Sequence, residues 1–185
     1  MAQETLREAG KKAGIWVGAA SNAFHLANAS DPMYTKVLAE QYSLVTAENS
    51  CKFGPTEPSR GNYTFGGCDA VLDAVEEADG VMRLHNMVWT NYNPNWLEKG
   101  GWNVSELIEI EANHIKAVLG RYSSRSSVIA VDVVNEAVSD GGEGAPMFKD
   151  CVWFPKVEDY VQRAFSVARG VAGSTKLFYN DYGAE

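Results

Sequence analysis

The sequence predicts an α/β chain with parallel strands, the front part of a (β/α)8 TIM barrel, truncated to about five strands and four helices. Three observations predict it. Short apolar runs alternate with longer segments of helical period, an order that joins parallel strands through right-handed crossovers. The run Ser127 to Val134 is almost all apolar, as suits a strand covered on both faces. Polar and ionisable residues gather just past the ends of successive strands, where a barrel enzyme collects its chemistry. The competing architecture is an open doubly wound sheet. It prefers a glycine-rich phosphate loop after its first strand, and Gly18-Ala-Ala-Ser-Asn-Ala does not supply one.

In chain order, Met1-Ala2-Gln3-Glu4 begins a polar, helix-like stretch without the apolar run of a signal peptide. Ile15 to Ala20 is the first strand. Asp31-Pro32 opens a helix over Met33 to Gln41, since Asp can cap and Pro suits the first turn. Leu44 to Ala47 is the second strand. Asp69 to Ala78 is a helix with Ala70, Val71, Ala74, Val75 and Ala78 on one stripe, ended by Gly80. Val81 to Trp89 is the third strand. Its alternation places Arg83, His85, Met87 and Trp89 on one face and Leu84, Asn86 and Val88 on the other. Asn103 caps a helix over Val104 to Tyr122, whose apolar residues recur near the helical period. Ser127 to Val134 is the fourth strand, Pro155 to Val171 a helix and Lys176 to Tyr179 the fifth strand. A complete barrel takes ~250 residues, so residues 1–185 are read as one partial domain holding strands one to five, without strands six to eight. Strands one and five would be unpaired edges, and apolar inner side chains such as those of strand four would be exposed.

Composition narrows the function. The net charge is −8, from 24 acidic and 16 basic residues. Nucleic acids and anionic membranes demand a basic face, so neither is a predicted partner. Aromatics make up 11%, with five Trp and eight Tyr. Part of these are core, and part suit a half-wet cleft that stacks on sugars. No run approaches the ~20 apolar residues of a membrane-spanning helix. Cys51, Cys68 and Cys151 show no CxxC spacing, so no metal site is predicted. A Cys51–Cys68 disulfide would close a loop of about 17 residues, worth roughly 3 kcal/mol in the chain-entropy model; the alternative is two buried thiols. Sequons at Asn28, Asn62 and Asn103 permit a secreted eukaryotic origin.

Several short constellations carry candidate chemistry. In Val131-Asp-Val-Val-Asn-Glu-Ala137, Glu136 stands just past a buried strand, beside low-dielectric walls that favour the protonated carboxyl a general acid needs. Asn135 can hydrogen-bond a sugar 2-OH. In Thr46-Ala-Glu-Asn-Ser-Cys-Lys52, Glu48, Asn49 and Lys52 offer the acceptors and donors that vicinal hydroxyls require, or else Glu48 and Lys52 form an ordinary surface pair. His85 and Trp89 lie on the third strand. No serine nucleophile elbow or cysteine motif accompanies the histidine, so it is not read as a triad base. In Asn180-Asp-Tyr182, Asp181 suits a charge network beneath the site and Tyr182 suits stacking on a sugar.

Together these pieces resemble glycoside hydrolase family 10, the endo-β-1,4-xylanases. The resemblance rests on Thr46 to Lys52, Arg83-Leu-His85, Val88-Trp89, Pro94-Asn-Trp96, Asp132 to Ala137 and Asn180 to Glu185, in the family's order. It implies a TIM barrel, retention of configuration, xylan as substrate, a monomeric secreted domain, and no metal or cofactor. It implies that Glu136 is the general acid/base and Asn135 the 2-OH partner. Glu48, Asn49, Lys52, His85 and Trp89 would hold the sugars on the non-reducing side, and Tyr182 would sit beside the first leaving-group sugar. The chain departs from the pattern at Val131, where the family usually has Trp, at Thr90, where it has His, and at Tyr92, where Gln is common. The family's nucleophile belongs to a Thr-Glu motif on strand seven, which has no counterpart among these residues. Two other readings are a non-catalytic sugar-binding half-barrel and another barrel glycosidase of the same clan.

Overall fold

The alternation in the sequence becomes a sheet whose strand order equals the chain order. The structure, a computed structural model, describes residues 4–28 and 30–183. All five strands are parallel: β1 (Gly18–Ser21), β2 (Leu44–Ala47), β3 (Val81–Trp89), β4 (Val128–Asn135) and β5 (Lys176–Asn180). The helices among the described residues are α1 (Leu6–Ala13), α2 (Ala23–Leu26), α3 (Pro32–Gln41), α4 (Phe53–Thr56), α5 (Gly66–Glu77), α6 (Asn95–Lys99), α7 (Val104–Tyr122) and α8 (Tyr160–Val171). The predicted caps of α3 and α7 are present. Asp31 accepts from the Tyr34 amide, and Asn103 forms a reciprocal capping box with Glu106.

The core lies between the outer face of the sheet and helices α5, α7 and α8. Leu72, Val75, Leu84, Leu107, Ile115 and Leu119 are all but inaccessible there, and each such side chain contributes roughly 1.5–3 kcal/mol. The disulfide between Cys51 and Cys68 is formed, tying the loop after β2 to the first turn of α5. A second clamp holds α4 under α7. His114 stacks on Phe53 at 3.5 Å between ring centres, and its Nδ1 is hydrogen-bonded to Glu57 Oε2 (2.9 Å). These clamps fix the segment that begins with Lys52.

Several predicted boundaries are corrected. The first strand starts at Gly18, not Ile15. The Ile15 amide bonds back to the Gly10 carbonyl (3.0 Å), so Ile15 belongs to the exit turn of α1 and is exposed with Trp16. The helix read from Asp69 starts at Gly66, because two weak helix formers hide its first turn. The last helix starts at Tyr160, not Pro155. Residues 151–159 form turns instead, anchored by fully buried Trp153, whose indole reaches the Trp89 carbonyl (3.3 Å). The count of four helices omitted α1, read only as a helix-like stretch, and the short α2, α4 and α6, which are too brief for periodicity to register. A register shift between His85 and Val88 breaks the alternation of β3 and turns Met87 into the core. Strand β4 does not expose an apolar inner face. Val131 to Asn135 are all buried, and Asp132 takes the inner position beneath Arg83. Within the strands, the exposed large apolar side chains lie instead on edge strand β5, at Phe178 and Tyr179.

Glu111 of α7 is 2% exposed, and one of its carboxylate oxygens finds no partner among the described residues. Burial pushes its pKa up to about 8, with Arg163 opposing and Asp159 adding. Because the folded pKa lies above the unfolded one, the folded state keeps a proton that the unfolded chain releases. No cost exists below the ordinary carboxylate pKa. Stability then falls as pH rises, by on the order of 5 kcal/mol once pH reaches about 8. In the full-length protein, Glu111→Gln is therefore expected to raise the thermal midpoint relative to wild type at pH 8 and to change it little at pH 4. An equal shift at both pH values would refute this linkage.

Candidate active site

The C-terminal strand ends meet at one rim, above an open inner-face cavity of about 560 Å³ that is lined in part by Glu48, Arg83, His85, Asp132 and Asn180. Glu136 follows β4 directly and is half-buried. Its Oε2 accepts from Trp89 Nε1 of β3 (2.9 Å). This contact joins two predicted site residues across 47 positions of sequence. Asn135 is buried, and its Oδ1 accepts from Asn180 Nδ2 (2.8 Å). The amide oxygen is thereby engaged from below, which leaves the Asn135 Nδ2 group as the donor available at the rim.

Lys52 is 7% exposed, and among the described residues it and Glu48 bond to different partners rather than to each other. Its ammonium donates to Asn49 Oδ1 (2.9 Å) and lies 4.5 Å from the Trp89 ring centre and 4.9 Å from that of Tyr92. Burial lowers its pKa, while the negative charges of Glu136 and Glu48 oppose that shift. Glu48 is exposed and accepts from Asn22 Nδ2 (2.9 Å) just past β1. The surface-pair alternative for Glu48 and Lys52 is thus replaced by two separate sets of contacts.

His85 bonds through Nδ1 to Asp132 Oδ2 (2.9 Å), and Asp132 also accepts from Arg83 Nε (2.8 Å). Arg83 reaches on to Asn180 Oδ1 (3.3 Å). One buried carboxylate therefore orients the histidine and, through Arg83 and Asn180, the Asn135 amide. Such an array resists rearrangement, because each member would leave another unsatisfied. Tyr182 stands apart from this cluster. It is half-exposed, donates to Asp140 (2.7 Å) and accepts from Lys149 (3.0 Å). Of the predicted site residues, Glu136, Asn135, Glu48, Asn49, Lys52, His85 and Trp89 share the rim, and Tyr182 faces the loop that follows Glu136.

Sequence reasoning missed Asn22 and Tyr92 here. Tyr92 occupies the place of the family's usual Gln. It has φ 61° and stacks along Trp89 at 6.3 Å between centres. Gly54 permits this, since a Cβ there would meet the Tyr92 carbonyl at 2.8 Å. Val131, where the family usually has Trp, lies in the core cluster. Asp181 accepts from the Tyr179 hydroxyl and the Tyr182 amide, whereas Glu185 lies outside the described residues. Among the described residues no group of three or more His, Cys, Asp or Glu is arranged to hold a metal ion, and no helix is long and apolar enough to cross a membrane.

Comparison with known proteins gives a consistent result. The profile of the family described as Glycosyl hydrolase family 10 matches residues 5–185. The chain is 38% identical over 159 residues to endo-1,4-beta-xylanase 2 of Aureobasidium pullulans, covering 84% of this chain and 42% of that relative. It is 34% identical to endo-1,4-beta-xylanase D of Talaromyces funiculosus, covering 100% of this chain and 44% of the relative. The crystal structure of xylanase 10B from Thermotoga petrophila with xylobiose superposes with a TM-score of 0.91 at 29% identity, covering 99% of this chain and 54% of that one. The chain thus spans about half the length of these proteins, and its five parallel strands are five strands of a TIM barrel.

Proposed function

This chain belongs to glycosyl hydrolase family 10, and on that premise we propose that it is the front part of a retaining endo-1,4-β-xylanase with Glu136 as general acid/base. The observation that carries this reading is the convergence at the rim of Glu136, Asn135, Trp89, His85, Lys52, Asn49 and Glu48 in the family's order. Residues 1–185 supply the first five strands of the domain, and strands six to eight complete it. The reaction then runs through two carboxylates about 5–5.5 Å apart. Glu136 protonates the glycosidic oxygen while a second carboxylate, from a later strand, attacks the anomeric carbon. In the second step Glu136 takes a proton from the water that releases the sugar.

The remaining roles follow from donors and acceptors. Asn135 Nδ2 donates to the 2-OH of the sugar being cleaved. Lys52, Asn49, Glu48 and His85 bind hydroxyls on the non-reducing side, with Trp89 beneath a ring. Tyr182 meets the first leaving-group sugar. The substrate is xylan, the reaction takes no cofactor, and the complete domain acts as a monomer. Secretion is supported by the Cys51–Cys68 disulfide, a bond at home in oxidising compartments. The test is proton NMR of the full-length enzyme acting on xylan and on a mixed-linkage β-glucan. The β-anomer should appear first, with xylan the preferred polymer. An initial α-anomer, or no reducing sugar from xylan, would reject the reading; β-glucan as the preferred polymer would favour another glycosidase of the clan.

A further inference from the structure

The turn that presents Glu136 is held in an unusual way. Glu136 has φ 52°, a left-handed angle that disfavours any residue with a Cβ. Such a conformation persists only where its surroundings over-determine it. Here the Glu136 amide donates to the Asn180 carbonyl (2.8 Å). The next two amides, those of Ala137 and Val138, both donate to the hydroxyl oxygen of Tyr179, at 3.0 Å each. That hydroxyl in turn donates to the Asp181 carboxylate. Ala137 is fully buried, so its amide has no water to turn to if the phenol oxygen is removed.

We propose that Tyr179, oriented by Asp181, is a positioning residue that locks the left-handed turn at Glu136 and so aims its carboxyl for proton transfer. The proposal rests on the reading of Glu136 as acid/base. A hydroxyl that accepts two consecutive amides fixes both peptide planes after Glu136. The Trp89 indole fixes the far end of the same side chain at Oε2. Between them the carboxyl has one direction left. A small rotation of the turn would move it away from the glycosidic oxygen without touching any sugar contact.

The experiment compares Tyr179→Phe, Asp181→Asn and Glu136→Gln in the full-length enzyme. Each is assayed on an unactivated xylo-oligosaccharide and on dinitrophenyl β-xylobioside, with thermal midpoints recorded. The dinitrophenolate leaves without a proton, so kcat/KM on that substrate reports everything except acid catalysis. Tyr179→Phe is expected to lower kcat on the oligosaccharide by ~10-fold or more, with KM little changed, and to leave kcat/KM on the aryl glycoside within about twofold. Asp181→Asn should act in the same direction, more weakly. Equal losses on both substrates, or no loss, in a folded variant would overturn the proposal. If Tyr179→Phe does not fold, Asp181→Asn decides by the same criterion. If Glu136→Gln itself fails to discriminate the two substrates, the acid/base reading falls first and the role of Tyr179 with it.

Discussion

Glu136→Gln in the full-length enzyme is expected to reduce turnover of xylan by ~10²–10⁴-fold, the usual range for a lost general acid. The substitution is close to isosteric. A glutamine can still accept the Trp89 indole N–H and can occupy the same left-handed turn. It has no acidic proton to give to a departing sugar alkoxide, whose own basicity makes unassisted departure slow. Aryl glycosides with a very acidic leaving group escape this requirement in the first step, so their kcat/KM should be largely spared. Their second step still needs a base to activate water, so the glycosyl-enzyme should accumulate and kcat should fall. A small anionic nucleophile such as azide needs no base and should restore turnover as the β-glycosyl azide. Xylan turnover near wild type would show that the proton comes from elsewhere.

The site was legible in sequence to the extent that its residues follow strands of clear period. Asn135 ends β4 and Glu136 follows it, while Glu48, Asn49 and Lys52 lie in the segment after β2, so locating a strand end locates them. His85 and Asp132 are paired partners in the ladder between β3 and β4. Their bond follows from register, which requires the sheet and not only the strand. Apolar period reports which face is buried. It does not report cross-strand hydrogen bonds, so Arg83–Asp132 and Asn180–Asn135 were invisible, at separations of 49 and 45 residues. Tyr179 read as the apolar end of a strand, because its contribution is one oxygen placed against two backbone amides. The bulge near Met87 likewise leaves no mark in composition. Glu136 breaks a local rule by adopting a positive φ without being glycine, and that departure falls at the residue assigned the chemistry.

Residues 1–185 on their own are expected to release no reducing sugar from xylan and to be oligomeric or poorly soluble. Strands β1 and β5 each pair on one side only, so two rows of backbone donors and acceptors remain open to another chain. Phe178 and Tyr179 add exposed aromatic surface along the β5 edge, and Ile15 and Trp16 do so near the start of β1. The chemistry fails independently of solubility. Retention requires a second carboxylate opposite Glu136. Asp181, the candidate carboxylate among the described residues, already accepts from the Tyr179 hydroxyl and the Tyr182 amide, and it follows β5, a strand at which the family places no nucleophile. The same chain extended by three βα units should pair both edges, elute as a monomer and hydrolyse xylan. Size-exclusion chromatography and a reducing-sugar assay on the two lengths test both halves of the expectation. Release of sugar by the purified 185-residue chain, abolished by Glu136→Gln, would mean that the second carboxylate already lies within these residues and that the five strands suffice for catalysis.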